Sequence, residues 1–451
     1  MKNLFLSIAF LFATSMLFAQ TALLDEDCVD CTVPDVQQRD PISPIDRVVF
    51  PVVHINTSVA KSWGNENNIE VNQNGAGNYS WALQDNLSWL NNAEVIQNGV
   101  QNYSLVNQLY YTWRNDASVL QDGDHNYSKI SQDWDDNVAK VEQRGDENQA
   151  DIYQDWARFN DAAIFQTGDL NQAFQFQGGE YSTLGYNKAR ITQTGDNNYA
   201  KQYQEVDHNE VSVVQTGDDN SSFQEQDGYR NKANFDQTGD RNYVGQFQVG
   251  DDNIATVYDW GQQGDDNYVI QDQDGEWNWA RIHQAGDRND SYQIQKGKRN
   301  RSHADQHGSD NYIDVFQDGN LNVASATQLS GDNNILFQKQ VGDQNSANAR
   351  QYGSNNTSTE DQTSLIGYIG ANFNNTSNVY QSGNDNFACV GQTQSLIGVT
   401  NFSDIDQIGN GNAAGVHQNA SLNSNSSILT QDGNLNTACI IQNGDTSVLN
   451  Q

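Results

Sequence analysis

Proline is missing from most of this chain. All four prolines, Pro34, Pro41, Pro44 and Pro51, lie near the N-terminus, and the 400 residues after Pro51 contain none. Proline lacks a backbone donor and is excluded from central strands, so nothing in that long region forbids continuous sheet. Cysteine is equally scarce, and four in 451 residues do not make a disulfide framework. Basic residues are outnumbered, with 23 Lys and Arg against 58 Asp and Glu and a net charge of -35, which excludes a nucleic-acid binder that works by neutralising phosphates. Apolar runs are few too. The one from Leu4 to Phe18 is too short to favour a spanning helix, and no later stretch is apolar enough to try.

With 36% apolar residues and this charge, an aperiodic chain would remain disordered, because too little apolar surface is available to offset chain entropy. The sequence is periodic, however, and period takes precedence over length and composition. From Gln262 to Asn322 glutamine recurs every eleven residues, at Gln262, Gln273, Gln284, Gln295, Gln306 and Gln317. Glycine follows two places later (Gly264, Gly275, Gly286, Gly297, Gly308, Gly319), and asparagine five places later (Asn267, Asn278, Asn289, Asn300, Asn311, Asn322). The beat extends towards the N-terminus through Gln143, Gln193, Gln215, Gln226, Gln237 and Gln248. Their glycines are Gly145, Gly195, Gly217, Gly239 and Gly250, and their asparagines Asn148, Asn198, Asn220, Asn231, Asn242 and Asn253.

Written out, the unit is N-x-[A/S]-x-[V/I]-x-Q followed by x-G-x-x, as in Asn137–Gln143 (NVAKVEQ), Asn187–Gln193 (NKARITQ) and Asn278–Gln284 (NWARIHQ). The marked positions 0, 2, 4 and 6 have the period of a strand, so Asn, Ala, Val or Ile, and Gln share one face. Glycine, which tolerates positive φ, suits the four-residue arc that follows. Two such units facing each other make a coil of 22 residues. The spacing therefore predicts an all-β fold, a long β-solenoid with two parallel in-register sheets. It has 34 units and hence about 17 two-strand coils, roughly 80 Å at the usual strand spacing. Stacking sets each inward Asn and Gln above its own kind, as amide ladders parallel to the backbone ladder. In the early repeats glycine follows Gln73, Gln97, Gln121 and Gln143 but not Gln84, Gln108 or Gln132, which already distinguishes odd strands from even ones. Longer arcs near Gly178–Tyr186, Asp259–Gly261, Thr363–Phe373 and Thr393–Thr400 are expected to project as loops.

Three regions follow. Residues 1–19 read as a secretory signal peptide cut near Ala19. Residues 20–55 form a proline-containing, non-repeating leader, either a flexible export address or a cap over the first strand. Residues 56–451 are the solenoid, which ends at Leu449-Asn450-Gln451 inside a strand, an edge expected to accept further chains. Within the leader, Cys28 and Cys31 form a C-x-x-C, read as a local disulfide ahead of a metal site. Cys389 and Cys439 take the same outward slot two coils apart, about 9.6 Å from the layer spacing. That is beyond disulfide reach, and two free thiols are expected.

Aspartate recurs after the arc glycine, for example at Asp146, Asp196, Asp218 and Asp240. A row of weak calcium sites is one reading; turn chemistry plus solubilising charge is the stronger one. No other cofactor or metal is expected. Trp89, Trp113, Trp134 and Trp156 fall in alternate arcs, as a surface-binding strip or, better, as layer stacking. Tyrosines after the repeat asparagine, Tyr79, Tyr103, Tyr127, Tyr199, Tyr243, Tyr268 and Tyr312, point outward by parity. Catalysis finds no support. The seven histidines are scattered, and His303 and His307, the one close pair, sit on a strand and an arc instead of one helix face.

The pattern Q-x-G-x-x-N-x-A-x-x-x-Q, as in Gln431-Asp432-Gly433-Asn434-Leu435-Asn436-Thr437-Ala438 to Gln442, resembles the curlin repeat of curli fibre subunits. The resemblance covers nearly all of the chain beyond residue 55. It implies a secreted, non-enzymatic functional amyloid on the surface of a Gram-negative-type bacterium. Such a subunit passes an outer-membrane secretion channel and assembles with itself or other curlin-like subunits for adhesion and biofilm matrix. The greater length, the insertions and the acidity leave major subunit, nucleator and non-polymerising surface adhesin all open.

Overall fold

In the computed structural model the residues described are 56–450, apart from 110–111, 157, 180–184, 365–373, 396–397, 422 and 444–445. The signal peptide, the leader and the Cys28–Cys31 pair lie outside the described residues. Every regular element among the described residues is a strand, β1 to β34 in chain order, and no helix is long and apolar enough to cross a membrane.

The chain falls into two compact units. Residues 56–266 carry β1–β18 and residues 267–450 carry β19–β34. In each, odd-numbered strands pair with odd and even with even, always parallel, so that consecutive strands lie on opposite sheets of one coil. The result is a parallel β-solenoid of the class expected from the glutamine spacing, in which the 34 strands of the described residues alternate between two sheets. Register follows the beat. Strand β8 (Val138–Arg144) sets Ala139, Val141 and Gln143 beside Ala162, Ile164 and Gln166 of β10 (Asp161–Thr167).

The core is narrow. Along β8 and β10 the inward Ala, Val or Ile, and Gln are all buried, while the residues between them face outward. Each coil thus contributes a small aliphatic strip, with one fully buried Ile or Val stabilising by about 1.5–3 kcal/mol. Most of the rest of the interior is amide, with a buried serine in several layers.

The arcs explain the spacing of glycine. Gly145 has φ of 112°, and a Cβ there would stand 2.3 Å from the carbonyl oxygen of Gly168 in the next layer. Both backbone conformation and layer contact therefore require glycine. Two residues on, Glu147 holds φ of 56°, a left-handed position filled by ordinary residues in most arcs.

The extra residues near Asp259–Gly261 do not form a separate loop. They are absorbed as a register shift within β18 (Ile254–Gln263), where Gln262 still pairs with Gln237 of β16 (Lys232–Thr238). Restoring that pairing keeps the ladder in phase, which a bulge achieves with less disruption than a slipped strand. The longer insertions fall largely outside the described residues.

Candidate functional site

The candidate site is the stacked interior itself, because a residue repeated at every layer acts as a column. On the even sheet of the first unit Gln143 Nε2 donates to Gln166 Oε1 (2.9 Å), Gln166 to Gln193 (2.9 Å), Gln193 to Gln215 (3.0 Å) and Gln215 to Gln237 (3.0 Å). On the odd sheet Gln226 donates to Gln248 (2.7 Å). In the second unit Gln273 donates to Gln295, Gln295 to Gln317 and Gln284 to Gln306, at 2.7–2.8 Å. The same nitrogen often makes a second bond across the coil, as from Gln143 to the Tyr127 carbonyl at 2.9 Å. Each glutamine thus ties layer to layer and sheet to sheet. The Gln262 side chain lies outside the described set.

Asparagine clamps the next arc at two points. Asn126 Oδ1 accepts the backbone N–H of Asn148 (3.0 Å), and Asn126 Nδ2 donates to the Gly145 carbonyl (2.7 Å). The backbone N–H groups of Asn198, Asn220, Asn242, Asn231 and Asn253 bond in the same way to the asparagine one layer before. In the second unit Asn267 holds Asn289, Asn289 holds Asn311, Asn278 holds Asn300 and Asn300 holds Asn322. The glycine carbonyls that accept Nδ2 include Gly195, Gly217, Gly239, Gly250, Gly264, Gly297, Gly308 and Gly319. Gly275 and Gly286 keep the same positive φ. Leaving one such buried partner unpaired costs about 1–3 kcal/mol.

A second glutamine column was not expected. On the odd sheet, two residues before the repeat glutamine, Gln175, Gln202, Gln224 and Gln246 are fully buried where the neighbouring even strands have Ile, Val or Phe. They bond in series at 2.7–2.8 Å. In the second unit Gln271 donates to Gln293 at 3.0 Å. The signal was a Q-x-Q recurring on alternate units, hidden when all units were merged into one eleven-residue consensus. At Glu360 the same slot holds a carboxyl group that accepts from Gln338 Nε2 at 2.8 Å. Complete burial raises its pKa to about 8 against the lowering effect of that bond, so near neutrality it is mostly an uncharged stand-in for glutamine.

The arc aspartates form another ladder. Asp146 Oδ1 accepts the backbone N–H of Asp124, Asp169 that of Asp146, Asp196 that of Asp169, Asp218 that of Asp196 and Asp240 that of Asp218, at 2.8–2.9 Å. Their acceptor oxygens are thus engaged by backbone. Beside them Arg230 pairs with Asp252, Arg241 with Asp266 and Arg288 with Asp310 across one layer.

Among the aromatics Tyr79, Tyr103 and Tyr127 stack in series, and Trp89 meets Trp113 edge to face at 6.0 Å. Tyr268 and Tyr312 depart from the expected surface placement and are buried. The histidines assemble differently from the sequence reading. His307 meets His283 of the neighbouring layer, and His283 Nδ1 (2.9 Å) and His307 Nε2 (3.0 Å) share Asp305 Oδ1. One ligand atom from each lies within 4.8 Å of the others, a grouping able to hold a metal ion. Burial pushes the Asp305 carboxyl up, but the His283 bond and the charges of His307, His283 and His303 outweigh it and hold it below the usual range.

The expectation of free thiols is overturned, since Cys389 and Cys439 are both disulfide-bonded. The register places Gly415 between them, so they are two layers apart as expected. That separation bars a bond to each other but not to cysteines elsewhere in the chain.

No curated protein matches the chain. Residues 264–292 and 308–337 match the family model for the curlin associated repeat. These stretches have the same glutamine, glycine and asparagine columns as the layers around them. Within those two stretches the chain thus carries curlin associated repeats.

Proposed function

We propose that the chain is a secreted structural subunit that adds copies of itself or other curlin-like subunits layer by layer into surface fibres for adhesion and biofilm matrix. One observation carries the reading: layer after layer among the described residues offers the next an in-register set of backbone, Gln and Asn partners, with Asp, Asn or Ser accepting in the arcs. A layer without a neighbour leaves that whole set unpaired, and a second copy of the same sequence supplies the complement. The curlin repeat supports export through an outer-membrane channel and a role without catalysis.

Time-resolved electron microscopy of the exported chain tests this. Fibrils lengthening from short rods, with a meridional spacing of about 4.7–4.8 Å, are the expected result. Rods that stay monodisperse at high concentration would instead favour a monomeric adhesin displaying its arcs.

A further inference from the structure

Strands β20 (Trp279–Ala285) and β22 (Arg301–His307) are parallel neighbours on the even sheet, in register from Trp279 beside Arg301 to Ala285 beside His307. In that register His283 stands directly beside Asp305, and His307 lies two residues beyond Asp305 on the same strand. Residues two apart on a strand share a face, and the inner face is taken by the buried Ile282, Gln284, Ala304 and Gln306. His283, Asp305 and His307 therefore meet on the outer face, each held in place by the backbone ladder beneath it. Among the described residues no other three His, Cys, Asp or Glu side chains converge in this way. His303 is not part of the group, because the register sets it beside Arg281.

The geometry is that of a ligand set. Asp305 Oδ1 lies 2.9 Å from His283 Nδ1 and 3.0 Å from His307 Nε2. The two rings, 5.0 Å apart between centroids, are inclined at 69°, so neither lies flat on the other and both can aim a nitrogen at one point. Atoms bound to one zinc ion through bonds of about 2.0–2.2 Å lie about 3–3.5 Å from one another. One ligand atom from each residue already falls within 4.8 Å of the others, so side-chain rotation suffices to close the set round an ion. The side chains of His283 and Asp305 are 17% and 22% exposed and that of His307 38%. The ligands are thus partly shielded, with an open side at His307 through which an ion enters and water completes its coordination.

We propose that His283, Asp305 and His307 form a binding site for a divalent transition ion of the zinc type, which joins two successive layers of the even sheet on its outer face. Each imidazole binds through the nitrogen that faces Asp305 and keeps its proton on the other. Two nitrogens and one carboxylate suit zinc or its neighbours in the transition series. Calcium, which takes six to eight oxygen ligands, finds a single carboxylate here. The net charge of -35 raises the concentration of any cation near the surface. The arc aspartates do not compete as an ordered site, because their Oδ1 atoms accept backbone N–H groups layer by layer.

Calorimetric titration of the full exported chain with zinc chloride, without reductant, tests the site. A tightly bound ion is expected, and His283→Ala and His307→Ala lie on different strands and should each remove it. Each is expected to weaken binding by more than the about 10–100-fold that loss of an outer-shell partner costs. His417→Ala on β31 (Ala413–Ala420) is expected to leave it unchanged. No tight binding by the wild type, or binding that survives either histidine variant, overturns the proposal. Displacement of the zinc by an equal concentration of calcium overturns it as well, since the ion would then be held by carboxylates. A second measurement needs no variant. Cobalt(II) loaded in place of zinc is expected to show the visible bands of a nitrogen- and oxygen-coordinated ion; thiolate charge-transfer absorption in their place would assign the metal to cysteine and sink the idea.

Discussion

The two sheets are written in one eleven-residue unit, yet they are not equivalent. Between residues 161 and 251, two places before the repeat glutamine, the even sheet carries apolar residues such as Ile164 and Ile191, and the odd sheet carries the bonded amides Gln175, Gln202 and Gln224. Outside, the even sheet of the second unit is open to solvent at Val323, while the odd sheet buries Phe387 and Cys389. The true period is therefore 22 residues. Across that stretch one sheet is held by an apolar strip and the other by paired amides, whereas before it, at Ile130 and Ile152, and after it, at Val315 and Val390, the odd sheet is aliphatic as well.

Four measurements break or sharpen that contrast. A long repeat array unfolds piecewise, so each is read as local amide hydrogen exchange in the flanking strands. Phe387→Ala on the covered face is expected to cost about 3–5 kcal/mol, as for a core aromatic. A loss under about 1 kcal/mol would mean the residue behaves as surface and the two faces are alike.

Gln202→Val gives the odd sheet the residue type of the even one. It strands the Gln175 donor and the Gln224 acceptor, at an expected cost of about 2–3 kcal/mol, whereas Ile191→Val on the even sheet should cost about 0.5–1.5 kcal/mol. Equal losses would remove the interior distinction.

Glu360 supplies a pH dependence from within the amide column of the odd sheet. Its folded pKa, about 8, lies above the unfolded value of 4.5. The folded state therefore holds the proton longer, and the stabilisation is complete below pH 4.5 and is lost as pH rises through about 8. The slope is at most about 1.4 kcal/mol per pH unit. Glu360→Gln is expected to flatten the profile between those limits; an unchanged slope would place its origin elsewhere. The smallest effect belongs to the open face, where Val323→Ala should change local stability by no more than about 0.5 kcal/mol.

Much of this was legible in the sequence. Stacking of identical units in register makes every column a repetition of one residue, so Gln143, Asn148 and Gly145 could be assigned to ladder, clamp and arc from spacing alone. The second glutamine column escaped because a consensus over all units averages the odd Q-x-Q with the even V-x-Q. The arc aspartates read as turn formers or calcium ligands, and their bonding to the backbone N–H of the preceding layer required the layer geometry. The histidines misled by proximity along the chain. His303 and His307 are close in sequence, but the 22-residue coil brings His283 to His307 through Asp305.

By itself the sequence determined the fold class, the strand parity and the coil length, because these depend on local period and on which residues tolerate an arc. Tertiary structure alone decided which outward residues are covered, how an insertion at Asp259–Gly261 is absorbed and that Cys389 and Cys439 are bonded. Those outcomes depend on contacts between residues far apart in the chain, and neither period nor spacing encodes them.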